Sequence, residues 1–148
     1  MDDVERLVAI EQIRRMRSRY LRMLDTKNWD EVANAYAPDA TLAFHTEAPG
    51  IVSRGRTQII AMITSTLLDV DSVHYAHTAE IDLLSPHRAT GVWALEDKLW
   101  FGSKSLYPGR RVHAYGHLED SYSKIDGRWL LQDVQITRLR VDLYTDAG

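Results

Sequence analysis

The sequence has no cysteine, no long apolar run and little net charge. Zero cysteines among 148 residues exclude a disulfide scaffold, a thiolate metal site and a cysteine nucleophile. No segment offers the roughly 18 uncharged apolar residues of a membrane span, and the acidic start has no apolar signal-peptide core. A net charge of -3 is not that of a polycation built for nucleic acid. We therefore expect a cytoplasmic globular protein that binds neither membranes nor nucleic acid.

Two common enzyme motifs are also missing. The chain has neither a glycine-rich phosphate loop nor a Gly-x-Ser-x-Gly elbow, so nucleotide and serine-hydrolase chemistry lose their usual support. The length suits one domain and is too short for two ordinary ones. We expect a single domain over residues 1–148.

The first part of the chain has the apolar spacing of helices. Apolar residues three and four apart, with arginines between them, predict an amphipathic helix over residues 4–24. Asn28 followed by Glu31 resembles a capping box, which opens a second helix over residues 29–36. Pro38 then stops that helix.

The rest of the chain changes from helical to strand patterns. A short strand is predicted over residues 40–45, and Thr57 can cap a third helix. Four long segments are rich in β-branched and aromatic residues with stretches of period two. These segments are residues 73–84, 89–101, 111–125 and 128–144. Asp126 and Gly127 form a tight hairpin signal between the last two. Helices followed by a long antiparallel meander predict an α+β fold, with the helices packed on one face of a strongly curved sheet.

Two polar residues lie near the end of the first predicted helix. Tyr20 shares a face with Ile13, Met16 and Leu24, which turns its ring inward and leaves its hydroxyl in need of a partner. A core tyrosine bonded to a backbone carbonyl is the more common case. Asp25 ends the helix, where a carboxylate faces the negative end of the helix dipole. It is either a pocket group or a solvated loop aspartate.

Histidines lie on two of the predicted strands. His74 and His77 point to opposite faces, so they cannot chelate one ion, and we expect no metal site. One of them can face the interior and act as a general base, with a structural histidine as the alternative. His113, Tyr115 and His117 alternate with smaller residues and form either the outward face of the sheet, which is favoured, or a polar pocket wall.

Two further charged residues interrupt apolar strand faces. Asp97 alternates with four large apolar side chains, so we expect it to be buried and to be a candidate acid or hydrogen-bond partner. Those four are Trp93, Leu95, Leu99 and Phe101. Arg138 alternates with apolar residues of the last strand, where an arginine normally meets a carboxylate or an anionic ligand. Its apolar companions are Leu130, Val134 and Ile136.

Four blocks, in order along nearly the whole chain, resemble the SnoaL-like branch of the NTF2-like superfamily. Within that branch they are most similar to the bile acid 7α-dehydratase and scytalone dehydratase group. The blocks are residues 19–29 (RYLRMLDTKNW), 74–81 (HYAHTAEI), 89–97 (ATGVWALED) and 124–129 (KIDGRW). The resemblance implies a cone-shaped barrel of a curved antiparallel or mixed sheet, with N-terminal helices packed on it and a deep apolar pocket inside.

The resemblance also implies a role for five residues. Tyr20 matches a pocket tyrosine, Asp25 matches the aspartate that orients the catalytic histidine, and His74 matches that histidine. Asp97 matches a second pocket carboxylate, and Arg138 matches a pocket arginine that we assign to substrate binding. Hexachlorocyclohexane dehydrochlorinase looks similar at the positions of Asp25 and His74.

The function implied by the resemblance is that of a cofactor-independent dehydratase. Such a lyase removes water from a hydroxylated carbonyl compound, such as a steroid or polyketide, by His–Asp general base catalysis. The alternatives are an isomerase of the ketosteroid isomerase kind and a non-catalytic module that binds a small ligand. Dehydratases of this group are trimers, so we expect a homotrimer, with a dimer as the alternative.

Overall fold

The computed structural model describes residues 1–145 and contains helices followed by long strands. The helices are α1 (Asp3–Asp25), α2 (Trp29–Asn34) and α3 (Gly55–Thr66). The strands are β1 (Tyr36–Phe44), β2 (Val52–Arg54), β3 (Val70–Ser85), β4 (Arg88–Phe101), β5 (Arg110–Ile125) and β6 (Arg128–Thr145).

Helix α1 agrees with the prediction over residues 4–24. It begins with a capping box, in which the Asp2 carboxylate accepts from the Glu5 backbone and the Glu5 carboxylate accepts from the Asp2 backbone, each at 2.8 Å. Such reciprocal bonds satisfy amides that have no partner within the helix. Ile13, Tyr20 and Leu24 are buried, so the inward face is the one that the spacing indicated.

The region around α2 differs from the prediction. The predicted capping box is wrong, because Asn28 makes no side-chain cap bond and instead places its amide 3.5 Å from the Met23 sulfur. Glu31 pairs with Arg19 at 3.1 Å. The helix ends at Asn34, and Tyr36 is already in β1 because it pairs with Leu131 of β6. Tertiary contacts have overridden the local signals.

The start of α3 was also predicted incorrectly. The helix begins at Gly55, whose φ of +82° favours glycine, and Thr57 lies inside the first turn and is not the cap. The short strand β2, which no pattern indicated, pairs antiparallel with β1 just before this helix. The Arg56 side chain anchors the helix start by donating to the Tyr36 carbonyl at 2.6 Å.

The sheet is mixed and strongly curved, in the order β2-β1-β6-β5-β4-β3. Only β1 and β6 run parallel, and the other neighbours are antiparallel. The predicted α+β class is confirmed, but within residues 1–145 the sheet does not close into a barrel, since β2 and β3 remain as edges. Asp126 and Gly127 both have positive φ, which is the geometry of the tight hairpin that they predicted.

Register shifts bend the sheet and change which residues face inward. Four shifts between antiparallel strands each leave one residue unpaired: Thr78 and Leu84 on β3, and Gln132 and Leu139 on β6. Such bulges increase local twist and reverse the alternation beyond them. Leu130 is therefore out of phase with Val134 and Ile136, contrary to the expected alternation.

The helices cover the concave face of the sheet. Helix α1 packs against β3, and α3 packs against β1. The core lies between these layers and includes Ile13, Leu131 and Val134, each at most 2% exposed. Within the described part of the chain, no helix is long and apolar enough to cross a membrane.

Candidate active site

A largely apolar cavity lies between the helices and the concave face. It contains about 690 Å³ of empty space, measured out to its opening. Apolar side chains from α1, α3 and the sheet form most of its wall, and a few polar groups converge on it. These polar residues are Arg17, Tyr20, Tyr36, Thr66, His74, Asp97 and Arg138. An apolar cavity with few convergent polar groups is typical of small-molecule sites.

Asp25 and His74 are joined by two hydrogen bonds across 49 residues of sequence. The His74 Nδ1 atom lies 2.6 Å from one Asp25 oxygen, and the His74 backbone amide donates to the other at 2.9 Å. Burial alone would raise the pKa of Asp25, but the bonds from His74 outweigh it and hold the pKa below its ordinary value. An ionised Asp25 only accepts, so Nδ1 carries a proton, and in the neutral imidazole the lone pair is on Nε2.

A second layer of polar groups supports Asp25 from the side away from the cavity. Ser72 Oγ donates at 2.9 Å to the Asp25 oxygen that His74 Nδ1 contacts, and it accepts from Lys27 Nζ at 2.8 Å. Burial lowers the pKa of Lys27, although Asp25 and Asp71 partly oppose this. Two hydrogen bonds from His74 and one from Ser72 therefore fix the Asp25 carboxylate.

Asp97 lies opposite His74 on the neighbouring strand. The two residues are direct cross-strand partners, so their side chains share the concave face. Asp97 is 3% exposed, as its apolar alternation predicted. One of its oxygens lies 2.7 Å from Arg138 Nη1, and the other has no hydrogen-bond partner and lies 3.8 Å from His74 Nε2. His74 Nε2 thus faces a carboxylate oxygen that is available to a ligand.

Arg138 reaches Asp97 across strand β5. It pairs in register with Gly116, while Asp97 pairs with Ala114, so the ion pair spans β5 at two small residues. A Cβ at position 116 would overlap the Thr137 carbonyl, so only glycine fits there. Glu47 accepts from Arg138 Nε at 2.6 Å. Burial lowers the pKa of Arg138, but Asp97 and Glu47 outweigh it and raise the value.

Tyr20 finds its hydroxyl partner in another tyrosine. Its oxygen lies 2.6 Å from that of Tyr36, and the rings meet edge to face. Burial raises the pKa of both hydroxyls, so both stay protonated at neutral pH. The partner is therefore neither the backbone carbonyl of an ordinary core tyrosine nor solvent.

Comparison with known proteins assigns this chain to a family. The model of the SnoaL-like domain matches residues 5–135. The chain belongs to the SnoaL-like family. The predicted SnoaL-like and NTF2-like membership is confirmed.

Individual relatives of this SnoaL-like chain are distant in sequence. A relative named "Probable cyclase", from Gibberella zeae, is 22% identical over 86% of this chain and 89% of its own. A scytalone dehydratase-like protein from Novosphingobium aromaticivorans superposes with a TM-score of 0.85 at 20% identity, covering 99% of this chain and 95% of that one. A hexachlorocyclohexane dehydrochlorinase from Novosphingobium barchaimii gives 0.81 at 15% identity, covering 99% and 96%. These structural likenesses show the shared fold.

The other histidines of the SnoaL-like domain lie outside the cavity. The side chain of His77 is 55% exposed and lies 3.8 Å from Glu96 on the outer face. His113 lies 3.2 Å from the same carboxylate and stacks on Tyr115, and His117 shares their outward side. The favoured outward placement is observed. Within residues 1–145 no three histidine, aspartate or glutamate side chains are grouped so as to hold a metal ion.

Sequence reasoning missed three residues of the cavity region: Arg17, Tyr36 and Asp120. Arg17 is 1% exposed and pairs with Asp120 at 3.0 Å, although it looked like one of several solvated arginines on α1. Two signals were present. Arg17 is four residues after Ile13, on the apolar stripe, and Asp120 alternates with Leu118 on β5.

Proposed function

We propose that this chain is a cofactor-independent dehydratase that removes water from a hydroxylated carbonyl compound, such as a steroid or polyketide. The observation that carries the proposal is the His74 imidazole, held by Asp25 at 2.6 Å with Nε2 directed at an apolar cavity. The two structural relatives support it, since both are named for reactions that eliminate a small molecule.

The reaction begins with proton abstraction. His74 Nε2 takes the proton alpha to the carbonyl, and the C–H electron pair moves into an enolate. Asp25 fixes the tautomer and stabilises the imidazolium that forms, which is the usual role of a carboxylate behind a catalytic histidine. Its three donors keep it ionised and in place. A positioned base of this kind typically contributes about 10²–10⁴-fold to the rate.

The second step expels the hydroxyl group. The enolate collapses to a carbon–carbon double bond, the carbon–oxygen bond breaks, and the proton held by His74 completes the leaving hydroxide to water. Tyr20 donates to the enolate oxygen, while Asp97 and Arg138 hold the departing hydroxyl through its hydrogen and its oxygen. Water is the only by-product of the reaction. The Asp25–His74 pair, which we call the dyad, returns to its starting protonation state.

An isomerase is the second candidate, because the same dyad can return the proton to a different carbon. A non-catalytic binding module is less well supported. The unpaired Asp97 oxygen beside His74 is costly to bury, and a module that only encloses an apolar ligand gains nothing from it.

A substrate screen separates these readings. The purified protein is incubated with hydroxylated steroids and polyketides, and products are analysed by mass spectrometry. We expect a product lighter by one water, absent with the His74→Ala variant. A product of unchanged mass with a shifted double bond indicates the isomerase, and bound but unaltered compounds indicate the binding module.

We also propose that the protein assembles as a homotrimer, with a dimer as the alternative. The apolar residues at the end of β6 support this. Leu139 is 78% exposed and Leu143 is 64% exposed. Apolar side chains concentrated on one surface are typical of interfaces.

A further inference from the structure

A second polar cluster lies at the end of the cavity away from His74. Arg17 Nη2 donates to one Asp120 oxygen at 3.0 Å, and Tyr122 donates to the other at 2.8 Å. Trp93 Nε1 in turn donates to the Tyr122 hydroxyl at 2.9 Å. This chain of bonds fixes Arg17 in a fully buried position on the cavity wall. The mechanism above uses none of these four residues.

The cluster has a donor without an acceptor. Arg17 Nε is buried and has no hydrogen-bond partner. One hydroxyl of the Tyr20–Tyr36 pair donates to the other, and the remaining hydroxyl hydrogen is the one that the proposed mechanism gives to the enolate oxygen. The Arg17 guanidinium lies 5.0 Å from the centre of the Tyr20 ring, beside the cavity that both residues line. Buried donors that lack partners cost free energy, which an acceptor oxygen of a ligand would recover.

The helix geometry gives the distance between this cluster and the dyad. Arg17 precedes Asp25 by eight residues on α1, which corresponds to about 12 Å along the helix axis at a rise of about 1.5 Å per residue. Tyr20 is about 7.5 Å from Asp25 by the same measure. The wall between the ends is apolar, and includes Leu21, Leu24 and Ile63.

We infer that Arg17, beside the Tyr20–Tyr36 pair, forms a second oxygen-binding subsite, which receives an uncharged acceptor oxygen at one end of a fused-ring ligand. The inference rests on the proposed function in that the cavity is taken to be the substrate site. The substrate class is then a rigid ring system with a phenolic or carbonyl oxygen at one end and the eliminated hydroxyl near the other.

The charge of the cluster selects the kind of oxygen. Asp120 balances the charge of Arg17, so this end of the cavity has a donor but no net positive charge. A carboxylate or phosphate entering there would lose its hydration without gaining a net counter-charge. A phenol or ketone loses far less and gains a hydrogen bond from the unused Arg17 donor.

Binding of matched probes tests the subsite without any turnover. The affinities of 2-naphthol and 2-methylnaphthalene, which differ in one polar group, are measured through quenching of tryptophan fluorescence. We expect the wild-type protein to bind 2-naphthol about tenfold more tightly, as one hydrogen bond to a buried charged group would give.

Variants locate the oxygen. In the double variant Arg17→Met with Asp120→Leu, which leaves no buried charge unpaired, we expect the tenfold preference to disappear. Arg17→Lys, which keeps the positive charge but lacks the Nε donor, should reduce it, and serves as the decisive variant if the double variant does not fold. Arg14→Gln, at an exposed arginine of the same helix, should leave the preference unchanged.

Three outcomes would overturn the inference. The first is equal affinity of the wild type for both probes. The second is a preference for 2-naphthol that is retained in the folded Arg17 variants, and the third is a preference that is lost in His74→Ala instead. The last would place the oxygen at the dyad. Failure of the proposed dehydration appears separately, as absence of turnover in the substrate screen.

Discussion

At the scale of single residues, local pattern predicts a side chain's direction but not its distant partner. Asp97 was placed inward because four large apolar residues alternate with it, and it is buried. Arg17 was missed because its partner Asp120 is 103 residues away, and no local pattern contains that pairing. The Asp25 and His74 contact was expected from the resemblance and is present at 2.6 Å.

Removal of the Ser72 hydroxyl should weaken both stability and turnover. Ser72→Ala deletes a donor to Asp25 and leaves the half-buried Lys27 ammonium without its acceptor. We expect the free energy of unfolding to fall by about 1–3 kcal/mol, measured by urea denaturation. Ser72→Thr, which keeps the hydroxyl, should retain most of the stability. Equal stability of the alanine variant and the wild type would show that this support is not used.

Stability should depend on acid pH through Asp25. Its pKa in the folded protein lies below the ordinary value of 3.8, so folding favours the ionised carboxylate. This contribution is complete above the unfolded pKa and is lost as pH falls through the folded pKa. The stability advantage of the wild type over Asp25→Asn should therefore shrink below about pH 4. Denaturant unfolding at several pH values checks this, and a constant difference would contradict it.

At the scale of elements, sequence periodicity predicts helices and strands but not the irregularities between them. The four long strands and the Asp126-Gly127 hairpin were predicted because apolar alternation and turn chemistry are local. The bulges on β3 and β6 and the short strand β2 depend on which strands pair, and pairing is set by the whole sheet. The bulge at Leu139 matters most, because it is next to Arg138, whose guanidinium pairs with Asp97.

Gly116→Ala should disrupt this part of the sheet. A methyl group at position 116 would overlap the Thr137 carbonyl, so the backbone of β6 must move beside Arg138. We expect a loss of about 1–3 kcal/mol in the free energy of unfolding and slower turnover of a substrate that the screen identifies. Gly127→Asn is the control, since it has open space around it and asparagine tolerates positive φ. An unperturbed Gly116→Ala variant would mean that the bulge does not position the arginine.

At the scale of the whole molecule, the fold class followed from element order, and the assembly did not. The trimer was expected from the resemblance. Four large apolar residues of β5 and β6 are buried within the chain: Leu118, Tyr122, Trp129 and Leu131. Leu139, Val141 and Leu143, at the end of β6, are exposed. These exposed residues support the proposed assembly.

Sedimentation equilibrium at micromolar concentration tests the assembly. We expect a mass near three times 17.0 kDa, and the variant Leu139→Asp with Leu143→Asp should shift the mass toward that of one chain because it charges the exposed patch. A mass of two chains would support the dimer. A mass of one chain in the wild type would contradict self-association.

The most direct test of the central claim compares two histidines of one strand. Once a hydroxylated carbonyl compound is found that the protein dehydrates, its turnover rate is measured with the wild type, His74→Ala and His77→Ala. We predict that His74→Ala lowers the rate by about 10²–10⁴-fold, while His77→Ala leaves it unchanged because that side chain faces outward. A His74→Ala variant that keeps the wild-type rate, or a comparable loss in His77→Ala, would contradict the account.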